Sequence, residues 1–322
     1  MPMNWLITGA DGFIGRALSQ RLLAQKGPEA AGAAPRLTLL DLAFEGPEPA
    51  SVRRITGSIA DPKVIAEAFA APVDVVFHLA SIPGGMAEQK YELAREVNLD
   101  ATLALLEAAR TQALATSKPL TFVFASTIAV LGAPLPPEVD DATPLRPKLS
   151  YGAHKLIGEI LLEDFNRRGW LRGRAVRLPG IVARPPQRTG QLSAFLSDII
   201  RELSAGRTYA CPVAAGSTTW LMSLPCVLDN LLHAASLSEA ACRDSRIWTL
   251  PALRMSMAQL VEAIAEVHGS EVLRRVSYGS NPELEANFGR YPPLHTPAAE
   301  AAGFRHDGDL ATLVRRALSP VD

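Results

Sequence analysis

The sequence has few cysteines, no excess of either charge and no long hydrophobic run. Its three cysteines are odd in number and widely separated, which fits neither a disulfide framework nor a zinc site. We therefore predict that Cys211, Cys226 and Cys242 are reduced packing residues. The six histidines form no HxxxH or HExxH pair, so no metal ligand set is visible. No apolar stretch approaches the ~18 residues that a membrane-spanning helix needs, which argues against a membrane partner.

The charges are balanced and dispersed along the chain. The 32 basic and 33 acidic residues leave a net charge of −1, without the basic clusters typical of nucleic-acid-binding proteins. A small molecule is therefore the expected partner. No basic segment precedes the first apolar run, so we expect no secretory signal and a cytoplasmic protein.

Short apolar runs alternate with amphipathic stretches up to about residue 178. This alternation predicts an α/β fold, a Rossmann-like doubly wound parallel sheet covered by helices on both faces. The predicted strands are 4–8, 37–41, 74–80, 120–126 and 174–178. The predicted crossover helices are 13–25, 101–110 and 155–165.

The pattern becomes less regular after residue 178, where prolines are frequent. We predict a nucleotide-binding domain over 1–178 and a smaller C-terminal lobe, mainly substrate-binding, over 179–322. The chain is expected to return to the first domain around 217–250. Residues 27–35, GPEAAGAAP, are interpreted as an enlarged surface connection.

Three glycines lie where the first apolar run ends, in LITGADGFIG (6–15). A glycine turn between a strand and an amphipathic helix is the context of a dinucleotide-binding motif. Gly9 would permit the tight turn, Gly12 the approach of a pyrophosphate, and Gly15 the close packing of helix on strand. The phosphates would then lie at a helix N-terminus, which favours negative charge.

An acidic residue ends the second predicted strand. Asp41 stands where a carboxylate would bind the two ribose hydroxyls and repel a 2′-phosphate, so the sequence favours NAD over NADP. Arg16 is a cation that could weaken this preference. Capping of the next element is the alternative role for Asp41.

A tyrosine and a lysine four residues apart begin the helix at SYGAHK. This spacing puts Tyr151 and Lys155 on one helical face, where a neighbouring ammonium would lower the pKa of the phenol. Ser126 and Thr127 end the strand TFVFAST, at the sheet edge where ligands of doubly wound folds bind. The four side chains together predict a base that removes a proton from an alcohol.

These motifs resemble the extended short-chain dehydrogenase/reductase family, the NAD-dependent epimerase/dehydratase group, over nearly the whole chain. The resemblance implies a Thr127–Tyr151–Lys155 catalytic triad and NAD as cofactor. Ser58 departs from the family, which has an acidic residue there. The cofactor-binding residues are predicted to be Gly9, Gly12, Phe13, Ile14, Gly15, Asp41, Ser58, Ile59, Leu79, Ala80, Asn98, Ser126, Tyr151, Lys155 and Pro179.

The family's usual contacts with a nucleotide diphosphate are missing. Where nucleotide-sugar enzymes have an asparagine, this chain has Gly180, and the segment that carries their arginine reads TTWLMSL (218–224). A buried diphosphate would therefore be poorly compensated. We infer a substrate without a nucleotide, such as a small polyol or sugar acid.

More narrowly, four segments resemble the D-erythronate dehydrogenases: 126–136, 150–159, 177–185 and 211–223. That resemblance implies oxidation of the C2 hydroxyl of a four-carbon sugar acid to 2-oxo-tetronate. Tyr151 would be the base, and Lys155 would also bind the nicotinamide ribose. The predicted substrate-binding residues are Ser81, Ser126, Thr127, Arg184 and Trp220, with Arg184 as the partner of the carboxylate.

Two other functions stay open on the sequence alone. One is a nucleotide-sugar 4-epimerase or dehydratase that keeps NAD tightly bound through its cycle, and the other is a non-catalytic protein that only binds NAD. The helices around 92–112 and 151–168 carry enough apolar residues to cover both the sheet and a second copy, so we also predict a homodimer with a four-helix interface.

Overall fold

The computed structural model describes residues 3–24, 36–49, 52–186 and 193–319. The predicted connection at 27–35 lies outside the described residues. The strands of the described chain are β1 (Asn4–Thr8), β2 (Arg36–Asp41), β3 (Val52–Thr56), β4 (Val75–His78), β5 (Leu120–Thr127), β6 (Leu171–Leu178), β7 (Gly180–Val182), β8 (Tyr209–Cys211), β9 (Thr218–Ser223), β10 (Ile247–Thr249), β11 (Leu253–Ser256) and β12 (Val276–Tyr278).

The helices of the described chain are α1 (Phe13–Ala24), α2 (Pro62–Ala68), α3 (Gly84–Gln89), α4 (Tyr91–Arg95), α5 (Ala101–Thr116), α6 (Ser150–Arg167), α7 (Phe195–Ser204), α8 (Leu224–Ser236), α9 (Met257–His268), α10 (Pro282–Phe288), α11 (Pro297–Ala301) and α12 (Leu310–Leu318). A π-helical turn at Glu96–Asp100 joins α4 to α5, and a 3₁₀ turn at Ile128–Leu131 follows β5.

The main sheet has seven strands in the order β10-β6-β5-β4-β1-β2-β3. All of its strand pairs are parallel. Parallel strands that are covered on both faces are mostly apolar, and β4 (VVFH) is buried at every residue, with His78 as its one polar side chain. The predicted doubly wound parallel sheet is confirmed.

Two apolar layers enclose this sheet. Because successive side chains of a strand point to opposite faces, Leu6 and Ile7 of β1 enter different layers. Ile7 packs with residues of α1 and α8, including Leu18 and Val227. Leu6 packs with residues of α2, α5 and α6 on the other face. The two layers fix the carboxyl ends of the strands, where the candidate site forms.

The part of the chain after β6 builds a second core and then returns to the main sheet. Strands β7, β9 and β11 form a three-stranded sheet, in which β9 is parallel to β7 and antiparallel to β11. Apolar residues of α7, α9 and α12 pack together beside it. Strand β10 pairs with β6 at the edge of the main sheet. The exact division of the chain into two domains stays a prediction.

No helix in the described ranges is long and apolar enough to cross a membrane. All three cysteines are buried and unpaired, as predicted. Within the described residues there is no group of three or more His, Cys, Asp or Glu side chains that could hold a metal ion.

Candidate active site

The glycine turn between β1 and α1 is tightly packed against the rest of the site. Gly9 has a φ of +67°, and a Cβ there would lie 2.6 Å from the Ala80 backbone nitrogen. A Cβ at Gly15 would lie 2.1 Å from the Gly9 carbonyl oxygen. A Cβ at Gly12 would meet only that same oxygen, at 3.2 Å. Close packing within the protein thus requires glycine at positions 9 and 15. At Gly12 the backbone is open on the side away from the Gly9 oxygen, which suits the close approach of a phosphate.

Asp41 lies beside this turn at the end of β2. Its carboxylate accepts hydrogen bonds from the backbone N–H groups of Asp11, at 2.8 Å, and Leu42, at 2.7 Å. Since each carboxylate oxygen can accept two hydrogen bonds, both Asp41 oxygens can still accept one from a ribose hydroxyl. Arg16 forms ion pairs with Asp11, at 2.8 Å, and Glu45, at 3.1 Å, which restrains the cation that could bind a 2′-phosphate.

The other predicted cofactor residues surround the same edge of the sheet. Ser58 and Ile59 follow β3; the Ser58 hydroxyl accepts from the Ala60 N–H in a local turn, and Ile59 is buried. Leu79 and Ala80 follow β4, and their backbone atoms pack against Gly9. Phe13 and Ile14 form the first turn of α1, and Pro179 lies between β6 and β7. These positions surround one edge of the sheet and fit a dinucleotide.

The first turn of α6 brings Tyr151 to the end of β5. Gly152 allows this approach, since a Cβ there would lie 2.5 Å from the Ala129 carbonyl oxygen in the turn after β5. Tyr151 is partly buried, and its phenol interacts with the hydroxyls of Ser81 and Thr127. The Ser81 Oγ is buried and makes no hydrogen bond of normal geometry.

Burial raises the pKa of Tyr151 above its ordinary value, while the positive charge of Arg184 and the hydroxyls of Ser81 and Thr127 lower it. The lowering of this pKa by Lys155, which the sequence suggests, stays a prediction. The Lys155 ammonium lies 5.9 Å from the centre of the tyrosine ring. Its Nζ donates to the Ala125 carbonyl oxygen at 2.8 Å, and burial lowers its own pKa to about 7.

Arg184 is the cation that acts on the phenol. Its guanidinium lies 5.7 Å above the centre of the Phe13 ring, and its backbone N–H donates to the Ser197 hydroxyl at 3.0 Å. Burial lowers the pKa of Arg184, and the negative charge of an ionised Tyr151 raises it. The arginine thus links the glycine turn to Tyr151.

The side chain of Ser126 does not reach the substrate site, which corrects a sequence prediction. Neighbouring residues of a strand point to opposite sides, so Ser126 and Thr127 diverge. The Ser126 hydroxyl donates a short hydrogen bond to the buried Glu159 carboxylate instead.

Asn98 and Trp220 both form hydrogen bonds to backbone groups of the protein. The Asn98 side-chain amide accepts from the Ile82 N–H at 2.7 Å and donates to the Ile82 carbonyl oxygen at 2.9 Å, so this buried residue holds the loop after β4. Trp220 has no exposed surface, and its indole N–H donates to the Pro292 carbonyl oxygen at 2.8 Å. It is a core residue, not a substrate contact.

Sequence reasoning missed the polar groups beneath the site. His78 is fully buried, with Nδ1 and Nε2 each 2.8 Å from a threonine hydroxyl, those of Thr8 and Thr102. Burial lowers the pKa of His78 well below its ordinary value, and the nearby Lys155 lowers it further. Its position within HLAS (78–81) was the available signal, but a strand histidine is ordinarily a packing residue.

Comparisons with known proteins agree with this geometry. Residues 5–220 match the model of the NAD dependent epimerase/dehydratase family. The chain is 39% identical over 319 residues to a D-erythronate dehydrogenase of Cupriavidus necator, covering 97% of each. It is 29% identical over 317 residues to a D-erythronate dehydrogenase of Haemophilus influenzae, covering 98% of each.

A solved structure is also similar over almost the whole chain. It is described as a nucleoside-diphosphate-sugar epimerase from Agrobacterium tumefaciens, with a TM-score of 0.89 and 30% identity. The match covers 97% of this chain and 92% of that one. The chain thus belongs to the NAD dependent epimerase/dehydratase family and is an NAD-dependent dehydrogenase acting on CH–OH groups, similar to D-erythronate dehydrogenase.

Proposed function

We propose that the enzyme oxidises the C2 hydroxyl of a small sugar acid, most specifically D-erythronate to 2-oxo-tetronate. The observation that carries this proposal is the position of the Arg184 guanidinium, 5.7 Å from the centre of the Phe13 ring in the first turn of α1 and near enough to the Tyr151 phenol to lower its pKa. In a 2-hydroxy acid the hydroxyl and the carboxylate are on adjacent carbons, so the base and the carboxylate-binding cation must be neighbours. Arginine suits a carboxylate because its planar fork can donate two parallel hydrogen bonds.

NAD supplies the hydride acceptor when it is bound. Tyr151 takes the proton of the C2 hydroxyl as its phenolate, and the C2–H bond breaks with its electron pair leaving as hydride, so that a C2=O double bond forms. Thr127 Oγ1 accepts the Ala129 N–H at 3.1 Å, which leaves its own proton for the substrate oxygen. Lys155 is proposed to bind the nicotinamide ribose, and Ser81 to bind the substrate.

A nucleotide-free substrate is supported by the packing of two segments. A Cβ at Gly180 would lie 2.9 Å from the Leu221 side chain and 3.0 Å from the Trp220 carbonyl oxygen, so a longer polar side chain has no room there. Residues 219–223 of β9 are buried. Neither segment offers a donor to a diphosphate, and an uncompensated diphosphate would be costly to bury.

The test is a panel of four- to six-carbon aldonates assayed with NAD and with NADP. We expect NADH to accumulate with D-erythronate, and Tyr151→Phe to lose turnover while its affinity for NAD stays within about threefold, since the phenol hydroxyl serves the proton transfer. Turnover by Tyr151→Phe, or no NADH from any aldonate, would refute the proposal.

A nucleotide-sugar 4-epimerase or dehydratase is the second candidate, because the Agrobacterium tumefaciens structure carries such a name at 30% identity. Such an enzyme would keep its NAD through the cycle and release no NADH. Turnover of a nucleotide sugar without net reduction of added NAD would favour it.

We also propose a cytoplasmic homodimer that associates through α4, α5 and α6. Large apolar side chains are exposed on these helices, among them Leu93, Leu103, Ile157 and Ile160. Ile160 is 59% exposed, which is unusual for an isoleucine in a helix whose opposite face is buried. A second copy of the same surface would cover these residues through a two-fold interface.

A further inference from the structure

Three titratable side chains lie one turn apart along a single face of α6. Tyr151, Lys155 and Glu159 are spaced by four residues, which stacks them on the helix surface. Lys155 and Glu159 are each only 1% exposed. Charged side chains are almost never so buried unless they are paired. The burial of Lys155 and Glu159 behind Tyr151 therefore indicates a specific role for both residues.

The Glu159 carboxylate is fixed from two strands of the main sheet. Arg177 of β6 holds it through two bonds, from Nε to Oε1 at 3.0 Å and from Nη2 to Oε2 at 2.8 Å. Ser126 of β5 donates its hydroxyl proton to Oε1. Such a bidentate, charge-assisted arrangement leaves the carboxylate one orientation.

Lys155 has a different environment, in which Glu159 is the source of negative charge. Its ammonium donates to the Ala125 carbonyl oxygen and lies 4.7 Å above the centre of the Phe124 ring. From β4 it faces His78, whose lowered pKa keeps the imidazole neutral. Burial lowers the pKa of Lys155 to about 7, and the charge of Glu159 acts against this loss.

We propose that Glu159 is a positioning residue for the reaction: its buried carboxylate, held by Arg177 and Ser126, keeps Lys155 in the ammonium form beside Tyr151. The inference rests on the proposed roles of Lys155 and Tyr151. Lys155, Glu159 and Arg177 together carry one positive charge. With Arg184, which also acts on the phenol, an ammonium at Lys155 adds positive charge around Tyr151 and so favours the phenolate that the reaction requires.

The charge of Lys155 can be measured directly because the chain has only six lysines: Lys26, Lys63, Lys90, Lys118, Lys148 and Lys155. The experiment is an NMR titration of lysine-labelled protein without cofactor, with the Lys155 signal assigned from a Lys155→Arg variant. In wild-type protein we expect a midpoint near 7. In Glu159→Gln we expect the midpoint to fall by about one pH unit or more, since an opposite charge nearby has been removed.

The matched control is Glu163→Gln, the same change one turn further along α6 at an exposed position. Its Lys155 midpoint should equal that of wild type. An unchanged midpoint in Glu159→Gln, in protein with wild-type circular dichroism, would overturn the inference. Because this readout needs neither NAD nor substrate, it is independent of which alcohol the enzyme oxidises.

Enzyme kinetics give a second readout. The pH profile of kcat/KM reports groups of the free enzyme, and a lysine that must stay charged sets its alkaline limb. If the pKa of Lys155 falls in Glu159→Gln, the lysine loses its proton at a lower pH. The alkaline limb of the kcat/KM profile should then move to lower pH by the same number of pH units as the NMR midpoint. Ser126→Ala leaves the negative charge of Glu159 in place, so the alkaline limb of the profile should stay at its wild-type pH.

Removal of Glu159 leaves the buried Arg177 unpaired, which can impair folding. If Glu159→Gln does not fold, the double variant Glu159→Gln/Arg177→Met removes both charges. Loss of the Arg177 positive charge partly offsets loss of the Glu159 negative charge, so we expect the Lys155 midpoint to fall by less than in the single variant. A midpoint at or above the wild-type value would contradict the proposal.

Discussion

Arg184 combines two effects on the reaction at the level of a single side chain. It is proposed to bind the substrate carboxylate, and its positive charge lowers the pKa of Tyr151. The first effect depends on the substrate having a carboxylate, whereas the second acts on any alcohol. The two can therefore be separated by comparing a sugar acid with an uncharged polyol.

Arg184→Gln should reduce kcat/KM for D-erythronate by roughly 10- to 150-fold, since hydrogen bonds to charged groups contribute ~1.5–3 kcal/mol. With erythritol, which has no carboxylate, the loss should be smaller. Loss of the arginine charge raises the pKa of Tyr151, so the acid limb of the pH profile should move to higher pH with both substrates. Equal losses with both substrates at high pH would argue against carboxylate binding.

Asp41 is expected to set the choice between NAD and NADP. In Asp41→Asn a negative charge beside the predicted 2′-hydroxyl is removed, while one oxygen remains to accept a backbone N–H. We expect the ratio of kcat/KM for NAD to that for NADP to fall by about tenfold or more, the effect of ~1.4 kcal/mol. The measurement is steady-state kinetics with each cofactor. An unchanged ratio would leave Asp41 with the capping role alone.

At the level of elements, the close contact of the glycine turn with the loop after β4 fixes the geometry of the site. Gly9→Ala meets two obstacles, a positive φ and the Ala80 backbone nitrogen at 2.6 Å. Gly169 has a similar φ of +74°, but nothing lies within 4 Å of its added Cβ. Comparing Gly9→Ala with Gly169→Ala therefore distinguishes the cost of the left-handed backbone conformation from the cost of steric overlap.

We expect Gly169→Ala to lower the free energy of unfolding by ~1–2 kcal/mol, the cost of the left-handed conformation. Gly9→Ala should cost ~1–3 kcal/mol more, as overpacking does. Urea-unfolding midpoints at unchanged m-value would measure both. Similar losses in the two variants would mean that the turn can move away from Ala80.

Elements with strong apolar runs were predictable from the sequence, and weaker ones were not. The predicted strands 4–8 and 120–126 correspond closely to β1 and β5. Strand β3, VRRIT, was missed because it lies at the sheet edge and two of its five residues are exposed. An edge strand has one neighbour and needs fewer apolar residues, so its pattern is weak.

The candidate site was predictable in its residue types but not in its side-chain directions. The sequence identified Thr127, Tyr151 and Lys155 through spacing on one strand and one helix. It could not show that Ser126 points to Glu159 or that Asn98 bonds to Ile82, since these partners are 33 and 16 residues away. Such contacts depend on how the layers pack together.

At the level of the whole molecule, association would bury the apolar surface of α4, α5 and α6. Ile160→Asp puts a charge into the proposed interface, where it would be desolvated, so we expect a monomer at micromolar concentration with wild type as a dimer. Leu273→Asp is the control, because Leu273 is 50% exposed in the turn after α9, outside these helices. Wild-type protein that is monomeric by light scattering would refute the interface.

The return of β10 to the edge of the main sheet has a consequence for engineering and for evolution. The segment between β6 and β10 leaves the seven-stranded sheet and re-enters it beside its own point of departure. A substrate-binding region from a relative could therefore not be transplanted by a single crossover in the gene. Exchange of this segment would need two splice points, one after β6 and one before β10, so that the recipient keeps its own edge strand.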